Sequence, residues 1–136
     1  VFKLFCFCME IKIDTKEKFT VITPVVPYLA DNMAINLIDY CKKASESAVN
    51  NVILNLQHVS GIDKNLATEI ATLQQNSYDE NKSFVVCCMI ENVEKVFEEA
   101  ELLEFLNATP TESEAWDIVQ MEEIERELLD DFENDN

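Results

Sequence analysis

Residues 50–73 read "NNVILNLQHVSGIDKNLATEIATL", and this stretch decides the fold. The run "NVILNL" (51–56) is short, apolar and rich in β-branched residues, which predicts a buried and central strand. The following loop contains Gly61, the only glycine of the chain. Asp63 is suited to the N-cap position of a helix, and beyond it apolar residues recur every three or four positions. We therefore expect a strand, a short loop and a helix over residues 63–78.

Strand and helix patterns alternate on both sides of this unit. Before it, "EIKID" and "KFTVITPVV" predict a hairpin, and a helical apolar face follows from Ala30 to Cys41. After it come a second buried strand "FVVCCMI" (84–90), a helix that Asn92 can cap, and a short edge strand in "EFLNATP". Thr111 and Glu114 form a capping box at the start of a final helix. This order predicts an α/β domain, with about four helices packed mainly on one face of a mixed sheet of four or five strands.

The length of 136 residues fits one domain. We expect residues 1–8 to be an N-terminal extension or the artefact of an upstream start, because Met9 directly precedes the first strand pattern. Residues 9–120 form the predicted domain. Residues 121–136 are expected to be an acidic helix end and tail that frays.

The chain is strongly acidic, with 27 acidic against 10 basic residues and a formal net charge of -17. Such a surface repels phosphate backbones and anionic lipids, which disfavours nucleic-acid binding and membrane insertion. A basic patch on another protein is its natural complement. The charge is equally consistent with a role in solubility alone.

Cysteine and histidine usage gives little support for catalysis or metal binding. An odd count of cysteines, Cys6, Cys8, Cys41, Cys87 and Cys88, favours reduced thiols and a cytoplasmic location. Adjacent Cys87 and Cys88 should point to opposite faces of a strand as small buried apolar residues. The chain lacks a C-x-x-C pair and has a single histidine, so we expect no metal site and no cofactor.

The order of elements and two phrases resemble the STAS domain, the SpoIIAA-like fold of bacterial anti-sigma factor antagonists (anti-anti-sigma factors). The first phrase is "LNLQHVSGIDKNLA", which is similar to a family loop of the form "SGVDFIDSSGL". The second is "SFVVCCMIENVEKVFEEAELLEFL", which resembles the next strand and helix of the family. The resemblance covers residues 10–120.

The resemblance implies a mechanism in which the loop and helix after the central strand dock on an anti-sigma factor kinase. In the family, that kinase phosphorylates a serine just after the aspartate of this loop, and the added negative charge abolishes docking. Asp63 matches this Asp, but Lys64 and Asn65 stand where serines are expected and Leu66 stands at a glycine. Glu101 also replaces a usual glycine. We therefore expect no phosphorylation at Lys64 or Asn65, and a lost serine phosphoswitch.

The predicted contact surface is the loop and first turns of the helix after the central strand, with the first helix beside it. Its residues are His58, Ser60, Gly61, Asp63, Lys64, Asn65, Leu66 and Thr68. For Leu66, burial within the chain itself is as open an alternative as contact with a partner. Ser60 and Thr68 are the nearby hydroxyls that a relocated phosphorylation would use.

The sequence thus favours a non-enzymatic protein–protein interaction module that regulates transcription by binding a protein partner such as an anti-sigma factor kinase. The first alternative is a STAS-type accessory subunit that docks on a transport ATPase. A second is an enzyme with a cysteine nucleophile at Cys41, Cys87 or Cys88. A homodimer formed through the acidic amphipathic segment Met121–Phe132 also stays open.

Overall fold

The computed structural model describes residues 10–134, and the side chains up to residue 130. The predictions for residues 1–8, including Cys6 and Cys8, lie outside the described residues. The elements in chain order are β1 (Ile11–Thr15), β2 (Thr20–Pro24), β3 (Tyr28–Leu29), a 3₁₀ turn (Asp31–Met33), α1 (Ala34–Ser45), β4 (Val52–Asn55), β5 (Gly61–Ile62), α2 (Lys64–Asp79), β6 (Phe84–Cys87), α3 (Glu91–Glu99), β7 (Ala108–Thr109) and α4 (Glu112–Asn134).

The main sheet has five strands in the order β1-β2-β4-β6-β7. Only β1 and β2 pair antiparallel, as a hairpin whose turn is closed by the Lys16 N–H donating to the Phe19 carbonyl at 2.8 Å. The other neighbours are parallel, as strand–helix–strand connections require. The predicted mixed α/β sheet is confirmed, with β4 at its centre and β7 at its edge.

Helices cover both faces of the sheet, and β4 shows the division. Val52 and Leu54 point into the core formed with α1, α2 and α3, whereas Ile53 points into a smaller core with α4. This alternation follows from the two-residue period of a strand, and it explains why β4 is apolar on both faces. Three of the four helices therefore lie on one face, in agreement with the prediction.

Polar contacts hold α4 across the second face. The side-chain amide of buried Asn51 donates to the Glu123 carboxylate at 2.7 Å, and its carbonyl oxygen accepts from the Ser83 N–H at 3.0 Å. Arg126 donates to the Ser83 hydroxyl at 3.3 Å. Because Asn51 and Ser83 directly precede β4 and β6, these bonds fix the middle of α4 to one end of the sheet.

The start of α3 differs from the prediction. Ile90, not Asn92, occupies the N-cap of α3, and its carbonyl accepts from the Val93 and Glu94 N–H groups. α4 runs without a break from Glu112 to Asn134, so the acidic segment that starts at residue 121 begins as the end of this helix, and its expected fraying stays a prediction. Over residues 10–134, no helix combines the length and apolarity needed to cross a membrane.

Cys87 and Cys88 do not divide between the two faces, contrary to the prediction. Both contact the core beneath α4. The reason is that β6 ends at Cys87, and Cys88 adopts a left-handed conformation with φ of 62°. The two-residue alternation of a strand therefore no longer applies at Cys88.

Two helices end in the same left-handed cap. At the end of α3, the Leu102 N–H donates to the Phe97 carbonyl at 2.9 Å, and the Glu101 N–H donates to the Glu98 carbonyl at 3.0 Å. This is the Schellman pattern, and Glu101 occupies its left-handed position with φ of 61°. Asn81 has the same role after α2. Glycine adopts this conformation most readily, which gives a physical reason for the glycine that the family resemblance leads us to expect at position 101.

Replacing Glu101 by glycine should therefore stabilise the protein. A β-carbon is unfavourable in the left-handed region, so we expect Glu101→Gly to raise the free energy of unfolding by about 1 kcal/mol. Glu98→Gly is the matched control. Glu98 is an exposed residue within α3, and glycine there should lower the free energy of unfolding by about 0.5–1 kcal/mol. Urea unfolding of both variants checks this, and a loss of stability in Glu101→Gly would contradict the cap assignment.

Candidate protein-binding site

A second, two-stranded sheet brings the start of α1 next to the start of α2. β3 pairs with β5 in parallel, with Tyr28 opposite Gly61 and Leu29 opposite Ile62. The Pro27 carbonyl also accepts from the Ser60 N–H at 2.7 Å. The sequence analysis did not predict this pairing. Its consequence is that the two loops preceding α1 and α2 form one continuous surface.

Asp63 links the two helix starts. Its carboxylate accepts a hydrogen bond from the Tyr28 hydroxyl at 2.5 Å and another from the Asp31 N–H at 2.7 Å. Its own N–H donates to the Leu29 carbonyl at 2.9 Å. Asp63 does precede α2 as predicted, but its side chain makes no capping bond to that helix. The carboxylate instead holds the 3₁₀ turn that leads into α1.

These hydrogen bonds stabilise the charged form of Asp63. The hydroxyl of Tyr28 and then the N–H of Asp31 hold the pKa of this carboxyl below its ordinary value. The hydrogen bond to Asp63 in turn raises the pKa of Tyr28, with partial burial adding to the effect. Asn65 extends the network, because its side-chain amide donates to the Asp31 carboxylate at 3.2 Å.

Gly61 is required here by close packing. A β-carbon at position 61 would lie 2.8 Å from two ring carbons of Tyr28, which is closer than a van der Waals contact permits. The half-exposed Tyr28 ring therefore covers the bare backbone of Gly61 while its hydroxyl reaches Asp63. The position thus needs glycine because of the neighbouring aromatic ring, and its φ is not in the left-handed region.

The structure brings most of the predicted contact residues to one end of the molecule. Ser60, Lys64, Asn65 and Thr68 are exposed, and Gly61 and Asp63 are partly exposed. The Thr68 hydroxyl donates to the Lys64 carbonyl within α2 at 3.0 Å. Exposed His58 instead lines a separate depression of about 450 Å³.

Leu66 is the one predicted contact residue that the structure removes from the surface. Its side chain is fully buried in the core with Leu29 and Ile70. Burial of a leucine side chain stabilises a fold by about 1.5–3 kcal/mol, which accounts for an apolar residue in this polar first turn. The assignment of Leu66 to partner contact is therefore wrong, and its burial is intramolecular.

Three residues of this surface were missed by the sequence analysis. Tyr28 and Asp31 hold Asp63, and Ile35 near the start of α1 is 81% exposed. Ile35 lies on a groove of about 420 Å³ between α1 and α2, together with Ile38 and Leu73. Tyr28 and Asp31 lie in the segment "PYLAD" (27–31) shortly before α1. Nothing in this segment indicates that Tyr28 contacts a residue 35 positions further along the chain.

Cys41 and Cys87 are poorly suited to nucleophilic catalysis. Burial raises the pKa of the Cys41 thiol to about 12, and burial beside Cys88 raises the pKa of Cys87 strongly as well. Both thiols are therefore protonated at neutral pH, whereas the thiolate is the nucleophile. Within residues 10–134, no group of three or more His, Cys, Asp or Glu side chains is arranged to hold a metal ion.

Comparison with solved structures identifies the fold. TM1081 of Thermotoga maritima, a candidate anti-sigma factor antagonist, matches with a TM-score of 0.71 and 19% identity over 81% of this chain and 94% of its own. The anti-sigma factor antagonist SpoIIAA in its unphosphorylated form matches with a TM-score of 0.64 and 18% identity, over 82% and 96% of the two chains. No protein-family model and no curated protein matches the sequence.

The chain therefore has the STAS fold, which is the SpoIIAA-like fold of anti-sigma factor antagonists. The same fold also occurs within a much longer protein, the murine anion transporter Slc26a9. There the TM-score is 0.61 and the identity 13%, over 79% of this chain and 18% of the transporter. At these identities the fold is shared, and a function has to be argued from the surface.

Removing the Tyr28 hydroxyl should raise the pKa of Asp63. In the native protein this lowered pKa gives stability that is present above the ordinary carboxyl pKa and lost as the pH falls through the lowered one. In Tyr28→Phe, this contribution should be smaller and its loss should be complete at a higher pH, because only the Asp31 N–H remains as a donor. NMR titration of the Asp63 carboxyl measures this, with Tyr78→Phe, an exposed tyrosine of α2, as control. Identical Asp63 titrations in Tyr28→Phe and native protein would refute the assignment.

Proposed function

We propose that the protein is a non-enzymatic interaction module that acts as an anti-sigma factor antagonist, or as a divergent relative of one. The observation that supports this is the exposed surface where α1 and α2 begin, which Asp63 holds together. It presents exposed polar residues of α2, among them Lys64 and Asn65, and the exposed apolar side chain of Ile35 near the start of α1. A polar surface with an exposed apolar residue, on a rigid frame, suits protein contact.

The expected partner is an anti-sigma factor, most simply one of the kinase type. The fold is that of proteins described as anti-sigma factor antagonists, and the proposed surface is the segment that the sequence resemblance assigns to docking. Lys64 is an exposed cation in an acidic chain and forms no ion pair within the described part of the molecule. It is therefore available to a carboxylate of the partner. The cytoplasmic location expected from the reduced cysteines stays a prediction.

Regulation by serine phosphorylation in the first turn of α2 is not expected. Lys64 is the first residue of α2 and Asn65 follows it, so the positions at which the resemblance places serines have no hydroxyl. Binding would then be constitutive or controlled in another way. We expect mass spectrometry of the protein from its native cell to find no phosphate on Ser60 or Thr68. Phosphate at either hydroxyl would mean that the switch has moved and has not been lost.

Charge reversal at Lys64 tests the contact surface. Glutamate in the first turn of a helix interacts favourably with the helix dipole, so Lys64→Glu should fold at least as well as the native chain. We expect it to weaken binding of the purified partner about tenfold or more, because two like charges would face each other. Lys95→Glu, the same substitution at an exposed residue of α3, is the control and should bind the partner with the affinity of the native chain.

The partner is obtained by affinity purification of the tagged chain from its native cell, and calorimetry then gives the dissociation constants. Recovery of a kinase-type anti-sigma factor whose binding depends on Lys64 supports the proposal. Equal affinities for Lys64→Glu, Lys95→Glu and the native chain would contradict it.

The second candidate is an accessory subunit that docks on a transport protein. The observation that favours it is the occurrence of the same fold in the anion transporter Slc26a9. The same affinity purification distinguishes the two candidate functions, because mass spectrometry of the recovered partner readily tells a transport ATPase from an anti-sigma factor. Recovery of a transport ATPase would favour the second candidate.

A further inference from the structure

α4 carries apolar residues on two opposite sides. Ala115 and Val119 are fully buried against the sheet. On the other side, Met121, Ile124 and Leu128 are 57%, 56% and 63% exposed. Their spacing of three and four residues places them in one row along the helix, and we call this row the outer stripe. A helix that covers one sheet needs only one apolar side, so the fold itself does not account for the outer stripe.

α4 is also longer than the sheet it covers. Its 23 residues span about 34 Å, whereas the four residues of β4 span about 13 Å. Arg126, bonded to Ser83, is the last side chain of α4 with a hydrogen bond to the sheet among the described residues. Leu128 and Leu129 beyond it are both exposed. The domain thus holds the helix firmly while leaving its C-terminal turns open to another molecule.

The charge of α4 restricts what can cover the outer stripe. The helix contains ten acidic residues and one basic residue, Arg126, which already contacts Ser83. Exposed Asp117 lies in line with the stripe and exposed Glu125 lies beside it. Two copies of α4 packed together would bring these carboxylates against each other, and an anionic lipid surface would repel them. Lysine or arginine side chains around an apolar groove would complement both features of the helix.

We propose that the outer stripe is a docking site for a protein with an apolar groove rimmed by lysine and arginine. The groove would take the side chains of Met121, Ile124 and Leu128, and its basic rim would face the carboxylates of α4. This surface lies on the opposite side of the sheet from α1, α2 and α3. It is therefore separate from the surface of the proposed function and does not depend on it. The chain would then be able to bind two partners at once.

The test begins with a photo-reactive benzoylphenylalanine in place of Ile124 in the full chain, expressed in its native cell. The cross-linked peptide identifies the segment that covers the stripe, and we expect it to belong to another protein and to be rich in lysine and arginine. That partner is then purified for calorimetry. Ile124→Asp and Leu128→Asp should each weaken its binding about tenfold or more. Ile13→Asp is the matched control, because Ile13 is a half-exposed isoleucine on β1, outside both α4 and the surface of the proposed function.

A second arm tests the charge. Glu125→Lys leaves the apolar side chains in place, and it should weaken binding because it puts a cation opposite a basic rim. Raising the salt concentration should weaken binding of the native chain. Circular dichroism should show unchanged helix content in every variant, since all the substituted positions are exposed.

Several results would overturn the proposal. One is a cross-link between two copies of the chain, together with a dimer that Ile124→Asp dissociates. A second is co-sedimentation of the protein with phosphatidylcholine–phosphatidylglycerol vesicles. A third is a cross-linked peptide with an acidic composition. Absence of any cross-link from position 124, or equal affinities for Ile124→Asp and Ile13→Asp, would overturn it as well.

Discussion

The surface assigned to partner binding depends on the carboxylate of Asp63. This group receives hydrogen bonds from the Tyr28 hydroxyl and the Asp31 N–H, while the Asp63 backbone bonds to Leu29. The start of α1 and the start of α2, which lie 30 residues apart in the chain, thereby form one end of the molecule. The same bonds keep Asp63 ionised, so the constraint is electrostatic as well as geometric. Exposed residues such as Lys64 and Ile35 take their relative positions from it.

The fold could be predicted largely from the sequence because its strands have unambiguous patterns. β4 and β6 are apolar on both faces, and the structure buries each of them between two layers of helices. Local rules also worked at the start of α4, where the Thr111 hydroxyl accepts from the Glu114 N–H at 3.2 Å. They failed at Asn92, where the helix cap lies two residues earlier, and at Cys88, because the strand ends three residues before residue 90. Small shifts of this kind reverse the direction in which a side chain points.

The candidate site was harder to predict, because its main contacts connect distant segments. The segment 58–68 was identified from its place after the central strand, and seven of its eleven residues are at least partly exposed. Its partners Tyr28 and Asp31 were missed, since the two-residue strands β3 and β5 are too short to leave a pattern. Asp63 illustrates the limit most clearly. A residue before a helix is expected to cap that helix, but tertiary structure offered the carboxylate two better donors.

The contact between Tyr28 and Gly61 has an evolutionary consequence. The aromatic ring occupies the volume that a side chain at position 61 would need, so the two positions share one space. Neither can change freely while the other stays as it is. Relatives of this chain with alanine or a larger residue at 61 should therefore have a smaller residue at 28, and these would also lack the hydroxyl that reaches Asp63. Relatives in which residues 28 and 61 have changed together should therefore hold the starts of α1 and α2 in place through other contacts.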